Sequence, residues 1–225
     1  MVDKRVASIA QAIEGLKDGA TLLVGGFGAS GRPAQLLEGV LELGVRDLVI
    51  VANNATTGND VFADLIRARR IRKFICSFPR GLYGHNIFDE LYAKGEIELE
   101  LVPQGTLAER IRAGAAGIGG FYTATAAGTL LEKGKEVRQM DGRTWVLEKP
   151  LRGDYAFIKA RQGDRWGNLV YHRGARSNNP VMAGAAPITV AQVDYFVGLG
   201  DIDPEHIITP GIFVDRLVEN PCTRV

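Results

Sequence analysis

Cysteine is scarce in this 225-residue chain: Cys76 and Cys222 lie far apart and form no C-x-x-C pair. That argues against a disulfide framework or a zinc ribbon and fits a reducing compartment. The three histidines, His85, His172 and His206, fall in unrelated segments without H-E-x-x-H or other ligand spacing, so no metal site is expected. No apolar run approaches the roughly 18 residues of a membrane helix, and the start of the chain lacks a signal-peptide apolar core. Excess charge is missing as well. Twenty-seven basic residues against 26 acidic leave +1, so no global field recruits nucleic acid or a membrane surface. None of the four serines lies in a G-x-S-x-G elbow. Repeats, linkers and low-complexity segments are also absent. These absences leave a soluble, cytoplasmic protein, read as a single domain over residues 1–225.

What is present alternates. The periodicity predicts a helix over 3–16, with Val6, Ile9, Ala10, Ile13 and Leu16 on one face. Strands follow at 20–24, 47–52, 71–76 and 97–102, separated by helices at 33–43, 59–70 and 86–94 and followed by one at 106–113. Alternation of this kind implies an α/β fold: an open, mostly parallel sheet with helices on both faces. In 97–101 the strict alternation Ile-Glu-Leu-Glu-Leu predicts a strand with Glu98 and Glu100 on a solvated edge face, a partner-facing face being the alternative. The second half is more elaborate. Asp141-Gly142 between two β-prone runs predicts a hairpin. Further strands are expected at 155–159, 168–171, 188–190 and 193–197, with a short helix at 179–186. The glycine-rich run 114–120 reads as a packed loop with close backbone approach.

One stretch stands out, Asp18 to Pro33, reading DGATLLVGGFGASGRP. A short apolar strand leads into Gly25, Gly26, Gly28 and Gly31, and Pro33 suits the start of a helix. Strand, glycine loop and helix start together present backbone N–H groups to an anion. Residues 26–31 match G-x-G-x-x-G, yet a dinucleotide site needs an acid about 20 residues on. The next strand ends instead in Asn53-Asn54. A glycine-rich turn that only packs a helix on a sheet remains the plain alternative. Ligands collect at the carboxyl ends of parallel strands. There the loops gather Asn53, Asn54, Ser77, Arg80 and Gln104, a set rich in neutral donors. No convincing nucleophile accompanies them. Ser30 suits a turn or cap, Cys76 a buried small hydrophobe, and most carboxylates lie beside basic residues on helices. Either the protein binds without catalysing, or another chain supplies the reacting group.

The motif D-G-x-x-LLV-G-G-F-x-x-x-G-x-P at 18–33 resembles the signature of family I coenzyme A transferases. The likeness continues through ANN at 52–54, LVPQGTLAERIRAG at 101–114, GIGGF at 117–121, DRWGNLVY at 164–171 and ITPGIFV at 208–214. It implies an α subunit that works with a β subunit, as αβ or α2β2, and moves CoA from succinyl-CoA to a 3-oxo acid. The runs ICSFPR and IFDELYAKGEIELELVPQG look most similar to members that use 3-oxoadipate, and less so to acetoacetate-directed ones. In the family a β-subunit glutamate attacks the thioester, and no cofactor is implied beyond the CoA thioester that is the substrate. By analogy Gln104 is the oxyanion donor, for which a loop-packing role is the alternative. Gly25, Gly26, Phe27 and Gly28 line the site, and Asn53 and Asn54 orient acyl or pantetheine groups. A purely structural subunit is a further reading.

Two stretches depart from the family pattern. T-P-T-G-x-G-T appears as Thr123-Ala-Thr-Ala-Ala-Gly-Thr129, and A-R-N-F-x-P as Ala175-Arg-Ser-Asn-Asn-Pro180. Arg32 stands where relatives often carry an uncharged residue. Arg32 or Arg80 could clasp the distal carboxylate of a dicarboxylic substrate, since a guanidinium fork fits a carboxylate; a surface role is the alternative for each.

Overall fold

The computed structural model describes residues 2–56, 58–79 and 86–219. Seven parallel strands form the main sheet, in the order β11 (Arg216–Glu219), β10 (Ile188–Phe196), β8 (Tyr155–Gly163), β1 (Thr21–Val24), β2 (Leu48–Asn54), β3 (Ile71–Phe78), β4 (Glu98–Leu101). β9 (Leu169–Val170) adds antiparallel to the far end of β8. From β1 the chain steps outward one way to β4, then returns on the other side of β1 through β8. The strand order therefore reverses at β1, and in open α/β sheets the crevice at that reversal takes the ligand.

Period-two alternation sorts the strands' side chains into two cores. Leu22, Val24, Ile50, Phe74 and Phe157 face one core. There they meet α1 (Ile9–Ala12), α2 (Ala34–Leu43), α3 (Val61–Arg67) and α4 (Ile87–Ala93). Leu23, Val49, Val51, Ile75 and Ile158 face the other, covered by α5 (Gln104–Ala116) and α6 (Asn179–Ala183). Burial on both faces is why these strands read as unbroken apolar runs. Phe62, Phe74 and Phe88 stack edge to face at 5.6 and 5.7 Å, fixing α3 and α4 on β3. Truncating such a ring to alanine costs about 3–5 kcal/mol.

The amino-terminal helix is much shorter than 3–16. Lys4 to Val6 run beside β11 instead, with Val6 N–H bonded to Leu217 C=O at 2.8 Å and Leu217 N–H to Lys4 C=O at 2.8 Å. Those bonds cover an otherwise open sheet edge, and Ser8 then caps α1 by accepting from Gln11 N–H. Expected strands 188–190 and 193–197 are one continuous strand, β10. The helix expected at 106–113 begins at Gln104 and runs to Ala116, so the first three residues of the supposed 114–120 loop are helical. Close approach there is real: a Cβ on Gly114 would collide with Leu151 C=O and lie 2.9 Å from Arg152 Cγ.

The Asp141-Gly142 hairpin joins β6 (Val137–Met140) to β7 (Arg143–Glu148), with φ of 52° and 72° at the turn. β5 (Phe121–Thr123) completes this small antiparallel sheet. At the other edge Glu98 pairs with Arg72, and Glu100 with Lys73 and Arg110. Burial pushes the Glu100 carboxyl up, but those two cations outweigh it and hold it below the ordinary carboxylate value. No described helix is long and apolar enough to cross a membrane.

Candidate functional site

The glycine loop leaves β1 at the point where strand order reverses. Gly25 N–H extends the ladder to Phe157 C=O at 2.9 Å. Phe27 and Ser30 then exchange backbone hydrogen bonds of 2.9 and 3.1 Å, closing a tight turn. Gly26, Gly28 and Gly31 hold φ of 106°, 60° and 70°, which side chains other than glycine adopt only with strain. The loop does not present all its N–H groups bare, as its sequence suggests. Gly28 N–H is taken by Asn54 Oδ1 at 2.9 Å. Among the described residues the Gly26, Ala29 and Gly31 N–H groups have no hydrogen-bond partner. Ser30 serves the turn, in keeping with its sequence context. Phe27 stands half exposed at the loop's tip.

Three residues that the sequence does not single out hold this loop in place. The first is Asn179, fully buried at the start of α6. Its Nδ2 donates to Gly31 C=O at 3.0 Å and Ala175 C=O at 2.8 Å, while its Oδ1 accepts from Lys159 N–H at 2.9 Å. Gly25 is a glycine because of it: a Cβ there would collide with Asn179 Oδ1 and lie 2.6 Å from Cγ. A Cβ on Gly31 would likewise collide with Ala175 C=O. The other two are Asp60 and Thr56. Asp60 Oδ2 receives Arg32 Nη1 at 2.6 Å, and its Oδ1 accepts from Thr56 Oγ1 at 2.8 Å and from Ala63 N–H, capping α3.

Arg32 is therefore not a surface residue. Its side chain is 5% exposed, paired with Asp60, and stacked 4.5 Å over the Phe62 ring. Its Nη2 is buried without a hydrogen-bond partner. Asn53 and Asn54 lie at the end of β2, both 5% exposed, and Asn53 Oδ1 and Asn54 Nδ2 have no hydrogen-bond partner. A buried polar atom left unpaired costs about 1–3 kcal/mol, so these two amides are ready-made partners for a polar ligand. Cys76 is buried, and desolvation pushes its thiol up to about 12, which removes it as a nucleophile.

Gln104 is the first residue of α5 rather than part of a loop, exposed, with no described group holding its amide. It follows β4, at the same carboxyl edge as the glycine loop but three strands away, about 14 Å at ordinary strand spacing. The structure thus brings Gly25, Gly26, Phe27, Gly28, Asn54 and Arg32 together, with Asn53 beside them. Gln104 stands across the edge, where only an extended ligand would meet both. Arg80 and His85 lie outside the described residues. Among the described residues no His, Cys, Asp or Glu cluster could hold a metal.

A glycine turn flanked by neutral amides at the reversal point of an open parallel sheet defines an α/β fold with a polar crevice at its carboxyl edge. A family model described as Coenzyme A transferase matches residues 6–220, and the chain belongs to that family. It is 56% identical to one subunit of the 3-oxoadipate CoA-transferase of Pseudomonas putida, over 97% of this chain and 94% of the relative. It is 46% identical to one subunit of a probable succinyl-CoA:3-ketoacid coenzyme A transferase of Bacillus subtilis, over 96% and 89%. The fold matches a thioester complex of the acyl-CoA transferase YdiF from Escherichia coli O157:H7 with CoA, at a TM-score of 0.85 and 21% identity. That match covers 98% of this chain but 48% of the other, so the chain spans about half the length of that protein.

Proposed function

We propose that this chain is the α subunit of a CoA-transferase that moves CoA from succinyl-CoA to a 3-oxo acid, 3-oxoadipate first. The 56% identity to a subunit of a 3-oxoadipate enzyme supports the substrate. The observation that carries the division of labour is structural. The carboxylate built into the glycine-loop edge, Asp60, is engaged by Arg32, Thr56 and the start of α3. It serves as a support, which favours an attacking carboxylate supplied by a partner, a β subunit in an αβ or α2β2 complex.

In this reading the partner's glutamate attacks the thioester carbonyl and expels the CoA thiolate, leaving a mixed anhydride with the acyl group. The thiolate returns to the glutamyl carbonyl, releasing succinate and leaving a glutamyl-CoA thioester. The 3-oxo acid then takes CoA by the same two steps reversed. Every step passes through a tetrahedral oxyanion, and CoA enters as a substrate rather than as a cofactor. Gln104 donates to that oxyanion with an amide that does not titrate at working pH. The unpartnered Gly26, Ala29 and Gly31 N–H groups and the Asn53 and Asn54 amides receive the acyl end.

Acetoacetate as acceptor is the second reading, favoured by the 46% identity to the Bacillus subtilis relative. Co-expression with a β chain, followed by a CoA-transfer assay over a panel of keto acids, tests both. Transfer from succinyl-CoA with 3-oxoadipate preferred is expected. Preference for acetoacetate would select the second reading, and no transfer to any keto acid would reject both.

A further inference from the structure

The 172–178 turn, His172-Arg-Gly-Ala-Arg-Ser-Asn178, overlaps one of the stretches that depart from the family pattern, and it packs directly on the glycine loop. Asn178 Nδ2 donates to Gly26 C=O at 3.4 Å, and Asn179 ties Ala175 C=O to Gly31 C=O. A Cβ on Gly174 would lie 4.0 Å from Ser30 Oγ. Two non-glycine residues in the turn hold left-handed backbone, Arg173 at φ 48° and Ser177 at φ 31°. Strain of this kind persists where the surroundings impose it, and it gathers at ligand sites.

The charge here is one-sided. No Asp or Glu occurs between residues 165 and 193. Arg173 and Arg176 are exposed, as is Arg161 on β8, and no described carboxylate lies within ion-pair distance of any of the three. Arg32, Arg72 and Arg110, by contrast, are each paired with a carboxylate. Arg161 Nη1 lies 2.6 Å from His172 Nδ1. An arginine can only donate, so Nδ1 accepts, and the ring proton of His172 is placed on Nε2 as one more donor. Arg32, the residue at the loop that sequence alone suggested for a distal carboxylate, is meanwhile committed to Asp60.

We propose that the 172–178 turn, through Arg173 and Arg176 with Arg161 and His172 behind them, binds the distal carboxylate of a dicarboxylic acyl group whose acyl chain lies along the glycine loop. This rests on the proposed CoA-transfer reaction and adds what selects the acid. A planar guanidinium takes a carboxylate in two parallel hydrogen bonds, and unpaired arginines beside an acyl site are poised to do so.

The test compares two acceptors in the reconstituted complex: 3-oxoadipate, and 3-oxohexanoate, the same skeleton with a methyl group in place of the distal carboxylate. The reaction is ping-pong, so kcat/KM for the acceptor reports only the half-reaction in which it takes CoA. In Arg173→Gln, Arg176→Gln and the double variant, kcat/KM for 3-oxoadipate should fall at least about tenfold. The value for 3-oxohexanoate should stay within about twofold, which also shows that the variants fold and assemble. Equal losses on both acceptors, or an unchanged ratio, would overturn the assignment. A wild-type complex that transfers CoA but does not prefer 3-oxoadipate would overturn it while leaving the transferase reading intact. No transfer to either acceptor would reject that reading and this inference with it.

Discussion

Replacing Gly25 by alanine probes the joint between the glycine loop and α6. Gly25 has no left-handed φ, so alanine brings no backbone strain there, and its effect must come from the collision with Asn179. To admit the methyl group, the Asn179 amide has to leave its place. It then gives up its bonds to Gly31 C=O, Ala175 C=O and Lys159 N–H. Three lost bonds at about 1 kcal/mol each, plus the desolvation of backbone groups left buried and unpaired, come to about 3–5 kcal/mol. Asn179→Ala loses the same three bonds and should cost about as much, ~3–5 kcal/mol. In the double variant the Cβ of residue 25 enters space that Asn179 has vacated. The loss should therefore match Asn179→Ala alone, a coupling of about 3–5 kcal/mol instead of additivity. Urea unfolding of the reconstituted complex measures it, the midpoint shifting at constant slope. A stable Gly25→Ala, or losses that simply add, would refute the account of how the loop is held.

Arg32→Gln breaks a buried ion pair and should cost about 3–5 kcal/mol in stability, read as a lowered melting temperature; a change confined to KM would make Arg32 a substrate ligand instead. Ala126 holds φ 71° at a position where the family pattern has glycine. Ala126→Gly should therefore stabilise the fold by about 1 kcal/mol, measured by denaturant midpoint, and a destabilised variant would contradict this. Gln104→Ala removes an exposed side chain with no described partner, so stability should hold while kcat falls by roughly 100- to 1000-fold. Unchanged kcat would favour a purely structural role for this chain.

The sheet was largely legible because both-face burial writes each strand as a continuous apolar run, and the Asp-Gly turn fixed the hairpin. Residues 3–16 mislead because their apolar spacing suits a helix as well as an extended segment laid along β11. Nothing local reveals that β11, more than 200 residues on, needs its edge covered. Gln104 looks like a loop residue because Pro-Gln-Gly reads as a turn, yet Pro103 can precede a helix as readily as end a strand. In the site, the glycines are visible and the reason for two of them is not. Gly25 and Gly31 make room for Asn179 and Ala175, which lie far along the chain. Arg32 looks available because its partner, Asp60, is brought to it only by the packing of α3. Asn179 falls on the unspecified position of the 175–180 pattern, so nothing local marks it.

The central claim is that this chain provides one wall of a CoA-transfer site whose nucleophile belongs to a partner. Intact-mass analysis of both chains after incubating the complex with succinyl-CoA tests it directly. A CoA adduct, formed with loss of water, should appear on a glutamate of the partner chain and not on this one. An adduct on a carboxylate of this chain, or CoA transfer by this chain alone, would contradict it.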